Sequence, residues 1–273
     1  MIEIVSESAH AGAARVVLFD FDGTISLIRA GWMDVMVPMM VDLMLETKTG
    51  ETAEDFRAIA LDIIGRTTGK ETIYQMMELA ENISRRGGAA LEPLAYKKMY
   101  LDALWKHIEH RIAALGSGQA SPEEYLVPGA RALLEALQNR GLKMYLASGT
   151  DHAYVVAEAK LLKVDQYFSG IFGAQDDLKS FSKGLLIKRI IDSAEFRGSE
   201  FLGFGDGYVE IEEIKKVGGV AVGVASHEPD CREVDSWKRD RLKGVGADFI
   251  VPNYLALDEL LSTLFEQKHA LQV

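Results

Sequence analysis

From Leu142 to Pro252, short apolar runs alternate with amphipathic stretches, and that alternation leaves few folds open. LKMYLAS (142–148), FLGFGD (201–206), GVAVGV (219–224) and ADFIVP (247–252) are predominantly apolar over the length of a strand. Before and between them, PGARALLEALQNR, HAYVVAEAKLL, KGLLIKRIIDSA and YVEIEEIKKV space their apolar residues as helices do. A strand apolar on both faces must be covered on both faces. Parallel neighbours also need a crossover, usually a helix. The expected fold is therefore α/β: a Rossmann-like parallel sheet with helices on both sides. VVLFD (16–20) has the same character but lies far upstream.

Between Thr24 and about Val127 no comparable strand occurs. Helical patterns cover about 30–47, 51–65, 70–84 and 91–115, with turn-forming TKTGET and SRRGGAALEP as breaks. An all-helical insertion thus interrupts the α/β unit directly after its first strand. The expected division is a loose tail over 1–13, a core over 14–26 and 127–273, and a helical unit over 27–126.

The chain of 273 residues carries a formal net charge of -11, which argues against nucleic-acid or anionic-membrane partners. One cysteine, Cys231, permits no internal disulfide, in keeping with a cytoplasmic location. No signal peptide is expected at the N-terminus. GWMDVMVPMMVDLML (31–45) is broken by Asp34, Pro38 and Asp42 and falls short of the roughly 20 apolar residues of a membrane span.

The first strand runs into Asp20, Phe21, Asp22, Gly23 and Thr24. Alternation aims Asp20 and Asp22 the same way, at the strand end where open parallel sheets bind ligands. Two carboxylates so close need a proton, a basic residue or a hard cation between them. LASGTD brings Ser148, Gly149 and Thr150 to another strand end, where a hydroxyl and backbone N–H groups can cradle a phosphate. Lys183 opens a helix in SFSKGLLIKRI and could serve a bound anion, with Lys179 as a rival. FLGFGDGYVEIEE ends a further strand in Asp206, with Glu210 following, an acidic setting suited to magnesium.

Taken in order, DFDGT, ASGT, Lys183 in SFSKG and GDGYVE resemble the haloacid dehalogenase superfamily from about Ala14 to about Leu264. The insert resembles the C1 cap of the branch that includes phosphoglycolate phosphatase and beta-phosphoglucomutase. The resemblance implies Asp20 as the nucleophile that becomes a phosphoaspartate, and Asp22 as general acid and then base. It implies Ser148 as a phosphoryl ligand and Lys183 as partner of the phosphoryl and of Asp20. Thr24, Gly149 and Thr150 would contact substrate. Magnesium would be held by Asp20, Asp206 and the backbone carbonyl of Asp22. Glu210 stands where a second aspartate is often found and would act through a water or orient Asp206.

The implied activity is magnesium-dependent hydrolysis of a small phosphorylated metabolite by a monomer or homodimer. The alternatives are a phosphomutase on the same framework and a non-catalytic binding protein. GRTTGKET (65–72) imitates a P-loop but is one residue short, with Glu71 where the metal-binding hydroxyl belongs. It reads as a junction between cap helices, which makes Arg66 and Lys70 candidates for substrate contact. His107 and His110 read as a solvated helix face. Met33, Met36, Met40 and Met44 read as a packing stripe. The charged segment 226–246 has no functional reading.

Overall fold

A computed structural model describes residues 2–175, 182–192, 196–228 and 230–266. Its centre is a seven-stranded sheet, formed by β1 (Glu3–Ile4), β2 (Val16–Phe19), β3 (Lys143–Asp151), β4 (Gly170–Ala174), β5 (Phe201–Gly205), β6 (Val220–Val224) and β7 (Phe249–Val251). The order is β1-β7-β6-β5-β2-β3-β4, and all neighbours are parallel except the edge pair β1 and β7. From β2 the chain builds outward through β3 and β4, then returns to β5 on the other side of β2. That reversal is the switch point where open α/β sheets leave a crevice beyond their strand ends.

The period of two sorts the core. Val16 and Leu18 pack in one cluster with α7 (Lys183–Asp192), α8 (Tyr208–Lys216) and α9 (Ser236–Gly244). Val17 and Phe19 face the opposite cluster with α5 (Ala130–Asn139), α6 (His152–Leu161) and α10 (Leu257–Phe265). Phe19 stacks on Phe204, ring centroids 4.8 Å apart, so β2 and β5 are locked side by side.

The insert comprises α1 (Trp32–Leu45), α2 (Ala53–Thr67), α3 (Thr72–Arg85) and α4 (Pro93–Ser117), close to the expected helices. The Thr52 hydroxyl accepts the Asp55 N–H while the Asp55 carboxylate accepts the Thr52 N–H, a capping box that starts α2. Met36, Met40 and Met44 are buried in the packing, as their spacing suggested.

The N-terminus is not a loose tail. Glu3 pairs with Ile250 and Ile4 with Phe249, and the Ala11 N–H donates to the Leu264 carbonyl. Arg239 and Lys243 on α9 both bond the Glu3 carboxylate and hold it down to a pKa of about 2. A two-residue strand has no alternation for a sequence reading to detect. No helix of the described residues is long and apolar enough to cross a membrane.

Candidate active site

Because β2 lies between β3 and β5, the ends of three strands converge. Asp20 leaves β2 with its N–H donated to the Phe204 carbonyl on β5. Asp206 follows β5, and Ser148, Gly149 and Thr150 lie inside β3, which runs on to Asp151 instead of ending at Ser148 because it pairs with β4 again there after a register shift. Gly23 turns the chain at φ +73°, and a Cβ there would stand 2.3 Å from Asp206 Oδ2, so a side chain at this position would displace Asp206.

Lys183, at the start of α7, is buried and donates to Asp20 Oδ1 at 2.7 Å and to Glu210 Oε2 at 2.8 Å. Burial disfavours its ammonium, but the Asp20 and Glu210 carboxylates outweigh that and hold its pKa above the ordinary lysine value. For Asp20 burial dominates. Despite Lys183, its pKa stands well above the ordinary carboxylate range, with Glu210 and Asp206 pushing the same way. Lys179 lies outside the described residues.

Asp22 Oδ2 accepts the Thr150 hydroxyl at 2.8 Å and, more distantly, the Ser148 hydroxyl at 3.5 Å. Its Oδ1 is buried without a hydrogen-bond partner among the described residues, 4.0 Å from Arg29 Nε. Burial pushes the Asp22 pKa up to about 6, against the opposing pull of Arg29. A carboxyl poised near neutrality beside an open site can give or take a proton there.

The carboxylates of Asp20, Asp206 and Glu210 offer oxygens all within 4.8 Å of one another. An all-oxygen, mostly buried set of this kind fits a hard divalent cation such as magnesium. The Gly207 N–H donates to Glu210 Oε1 at 2.6 Å, which orients Glu210 from the first turn of α8.

Three of these partners were not legible in the sequence. Arg29 is buried and donates to Glu158 on α6 through Nε and Nη2, the latter at 2.6 Å from Oε1. Its only signal was a lone charge in the apolar run ISLIRAGW. Lys238, in the segment without a functional reading, donates to Asp206 Oδ2 and Glu228 Oε1, both at 3.0 Å. Lys97 on α4 is ion-paired with Asp151 at the start of α6, joining insert to core.

The loop after α2 closes over these groups. Tyr208 donates its hydroxyl to the Arg66 carbonyl at 2.6 Å. A Cβ on Gly149 would stand 2.4 Å from the Lys70 carbonyl oxygen, and one on Gly207 would stand 3.0 Å from Gly69 Cα. Beneath the loop is a cavity of about 90 Å³ lined by Asp20, Asp22, Arg29, Lys70, Ser148 and Thr150, among others. The Arg66 side chain is not brought to it. That side chain is exposed and ion-paired with Asp62 and Glu78. Thr24 is fully buried, its hydroxyl without a partner among the described residues and its carbonyl accepting the Tyr254 hydroxyl. His107 does not join His110 on a solvated face, because it lines a larger cavity beside Arg111.

The pattern of haloacid dehalogenase-like hydrolases matches residues 14–218, and the chain belongs to that hydrolase family. Similar solved structures agree in fold. A predicted phosphoglycolate phosphatase from Haemophilus somnus 129PT is 14% identical, with TM-score 0.59 over 91% of this chain and 98% of that one. A beta-phosphoglucomutase from Clostridium difficile is 13% identical, with TM-score 0.60 over 92% and 96%. A predicted phosphatase from Clostridium acetobutylicum is 18% identical, with TM-score 0.58 over 92% and 99%. No curated protein matches the chain.

Proposed function

We propose that the protein is a phosphatase of a small phosphorylated metabolite. The observation that carries the reading is the pairing of two buried aspartates with different partners: Asp20 bonded to a buried lysine, and Asp22 protonatable near neutrality, with one oxygen that no described residue hydrogen-bonds. Asp20 attacks phosphorus in line, the bond to the leaving oxygen breaks, and Asp22 gives that oxygen its proton. Asp22, now a carboxylate, takes a proton from water. The water oxygen attacks the phosphoaspartate, which releases phosphate and restores Asp20.

Lys183 offsets the repulsion between Asp20 and an anionic phosphoryl group, and the Ser148 and Thr150 turn supports that group from β3. Asp20, Asp206 and Glu210 would hold magnesium, which supplies further charge neutralisation when bound. The 27–126 segment serves as the cap, and its loop excludes water while the site is closed. Lys70 is the cap cation placed to influence substrate choice, since it lines the small cavity.

The test is phosphate release from p-nitrophenyl phosphate and from a panel of sugar phosphates, phosphoglycolate and nucleotides, with magnesium present. Release that disappears in Asp20→Asn supports the reading. Isomerisation of a sugar phosphate without release assigns the protein to phosphoryl transfer between positions. Neither activity on any ester leaves it a binding protein.

A further inference from the structure

A second cavity, of about 580 Å³, lies between the insert and the core. It meets the small one at Trp32, Thr68 and Asp206, which line both. One wall is formed by α1 and α2, the other by α9. The Asp235 carboxylate caps α9 by accepting the Lys238 N–H at 2.9 Å, and the Lys238 side chain bonds Asp206. Arg241 comes three residues later, about 4.5 Å along the helix axis from Lys238 at 1.5 Å per residue.

The Arg241 guanidinium lies 4.5 Å from the centre of the Trp237 ring and 5.9 Å from that of Tyr208. It faces α2 at Gly65, where a Cβ would stand 2.5 Å from Nη1. No described carboxylate lies within ion-pair distance of it; burial lowers its pKa from the ordinary arginine value, against the weaker pull of Tyr208 and of Asp62 on α2. Asp34 on α1 also lines the cavity and has no described ion pair, so the anion site lies at the α9 end of the cavity; several other wall charges are engaged. Lys238 and Glu228 bond each other, and Arg111 donates to the Ile28 and Ala30 carbonyls at 2.8 and 2.7 Å. Arg57, about two turns back along α2 from Gly65, also lines the cavity without a described carboxylate partner.

We infer that this cavity receives the leaving group, and that the substrate is a phosphomonoester carrying a ring and a second anion distant from the transferred phosphoryl. The inference rests on the phosphatase reading of Asp20. Ligand pockets run from about 300 to 1,000 Å³, so this one suits a ligand far larger than a glycolyl or triose ester. Trp32 and Trp237 offer flat apolar faces to a ring. Arg241, with no carboxylate of its own, offers a planar pair of donors to a carboxylate or second phosphate.

Titration calorimetry on the Asp20→Asn protein, which does not consume ligand, tests this with inorganic phosphate, adenosine 5′-monophosphate and adenosine 3′,5′-bisphosphate. The bisphosphate should bind at least about tenfold more tightly than the monophosphate, and the monophosphate more tightly than phosphate. Arg241→Gln should bring the two nucleotides within about twofold of each other, and the exposed Arg57→Gln should narrow the gap in the same direction. Equal binding of all three probes, or an advantage for the bisphosphate that survives both substitutions, overturns the inference. Phosphate release from p-nitrophenyl phosphate by the unsubstituted protein is measured alongside. Release without ligand preference refutes the cavity assignment alone, and preference without release refutes the phosphatase reading alone.

Discussion

Replacing Gly149 by alanine should separate closure of the insert from stability of the core. The new Cβ would stand 2.4 Å from the Lys70 carbonyl oxygen and 3.0 Å from its carbon. Ordinary contact begins near 3.4 Å, so the loop after α2 must retreat by about 1 Å, and the atom in the way is backbone, which cannot swing aside like a side-chain tip. Gly149 does not have a positive φ, so alanine adds no backbone strain to β3 itself. A misplacement of about 1 Å in a closing element can cost about 10²-fold in rate, and the overpacking costs roughly 1–3 kcal/mol against the closed state. We expect kcat/KM for phosphate release to fall about 10- to 100-fold while Tm moves by only a few degrees. Steady-state kinetics and thermal unfolding on the same preparation give both numbers. Wild-type kcat/KM in Gly149→Ala would refute the claim that turnover needs this loop seated against β3.

Asp22 should carry a stability cost that its function requires. With its pKa raised from 3.8 to about 6, it binds a proton more tightly folded than unfolded. The cost is therefore absent below about pH 4 and fully present above pH 6, reaching at most roughly 3 kcal/mol. In chelator, Asp22→Asn should raise Tm at pH 7 and have little effect at pH 4; with magnesium present, turnover of alkyl phosphates should fall more than that of p-nitrophenyl phosphate. A Tm shift of the same size at both pH values refutes the burial argument. Lys183→Met leaves Asp20 and Glu210 facing each other without their shared cation, at a cost of about 3–5 kcal/mol. Thermal unfolding should show a Tm lower by on the order of 10 °C, and an unchanged Tm counts against that ion pair. Chelation should abolish phosphate release. Magnesium should restore it and also raise Tm by relieving the repulsion among Asp20, Asp206 and Glu210; a Tm indifferent to magnesium argues against those ligands.

The parts of this protein that the sequence determined by itself are the local ones. Continuous apolar runs marked β2, β3, β5, β6 and β7, and helical spacing marked the four helices of the insert, because period and capping are properties of neighbouring residues. β4 (GIFGA) escaped notice because two glycines dilute so short a run, and β1 escaped because two residues have no period. The strand-end positions of Asp20 and Asp206 were readable for the same local reason, whereas β3 runs past Ser148 to Asp151. Which charges meet them was not. Lys183 reaches Asp20 across 163 residues, Arg29 reaches Glu158 across 129, and Lys238 reaches Asp206 across 32. In sequence, Lys238 is one charge among many in SWKRDRLKG, and Arg66 is as plausible a ligand as Lys70. Only the packing of α9 beside the β5 loop, and of α2 across the strand ends, decides which side chains are desolvated against a carboxylate and which stay paired in water. That choice depends on strand order and helix rotation, which no single stretch of the chain encodes.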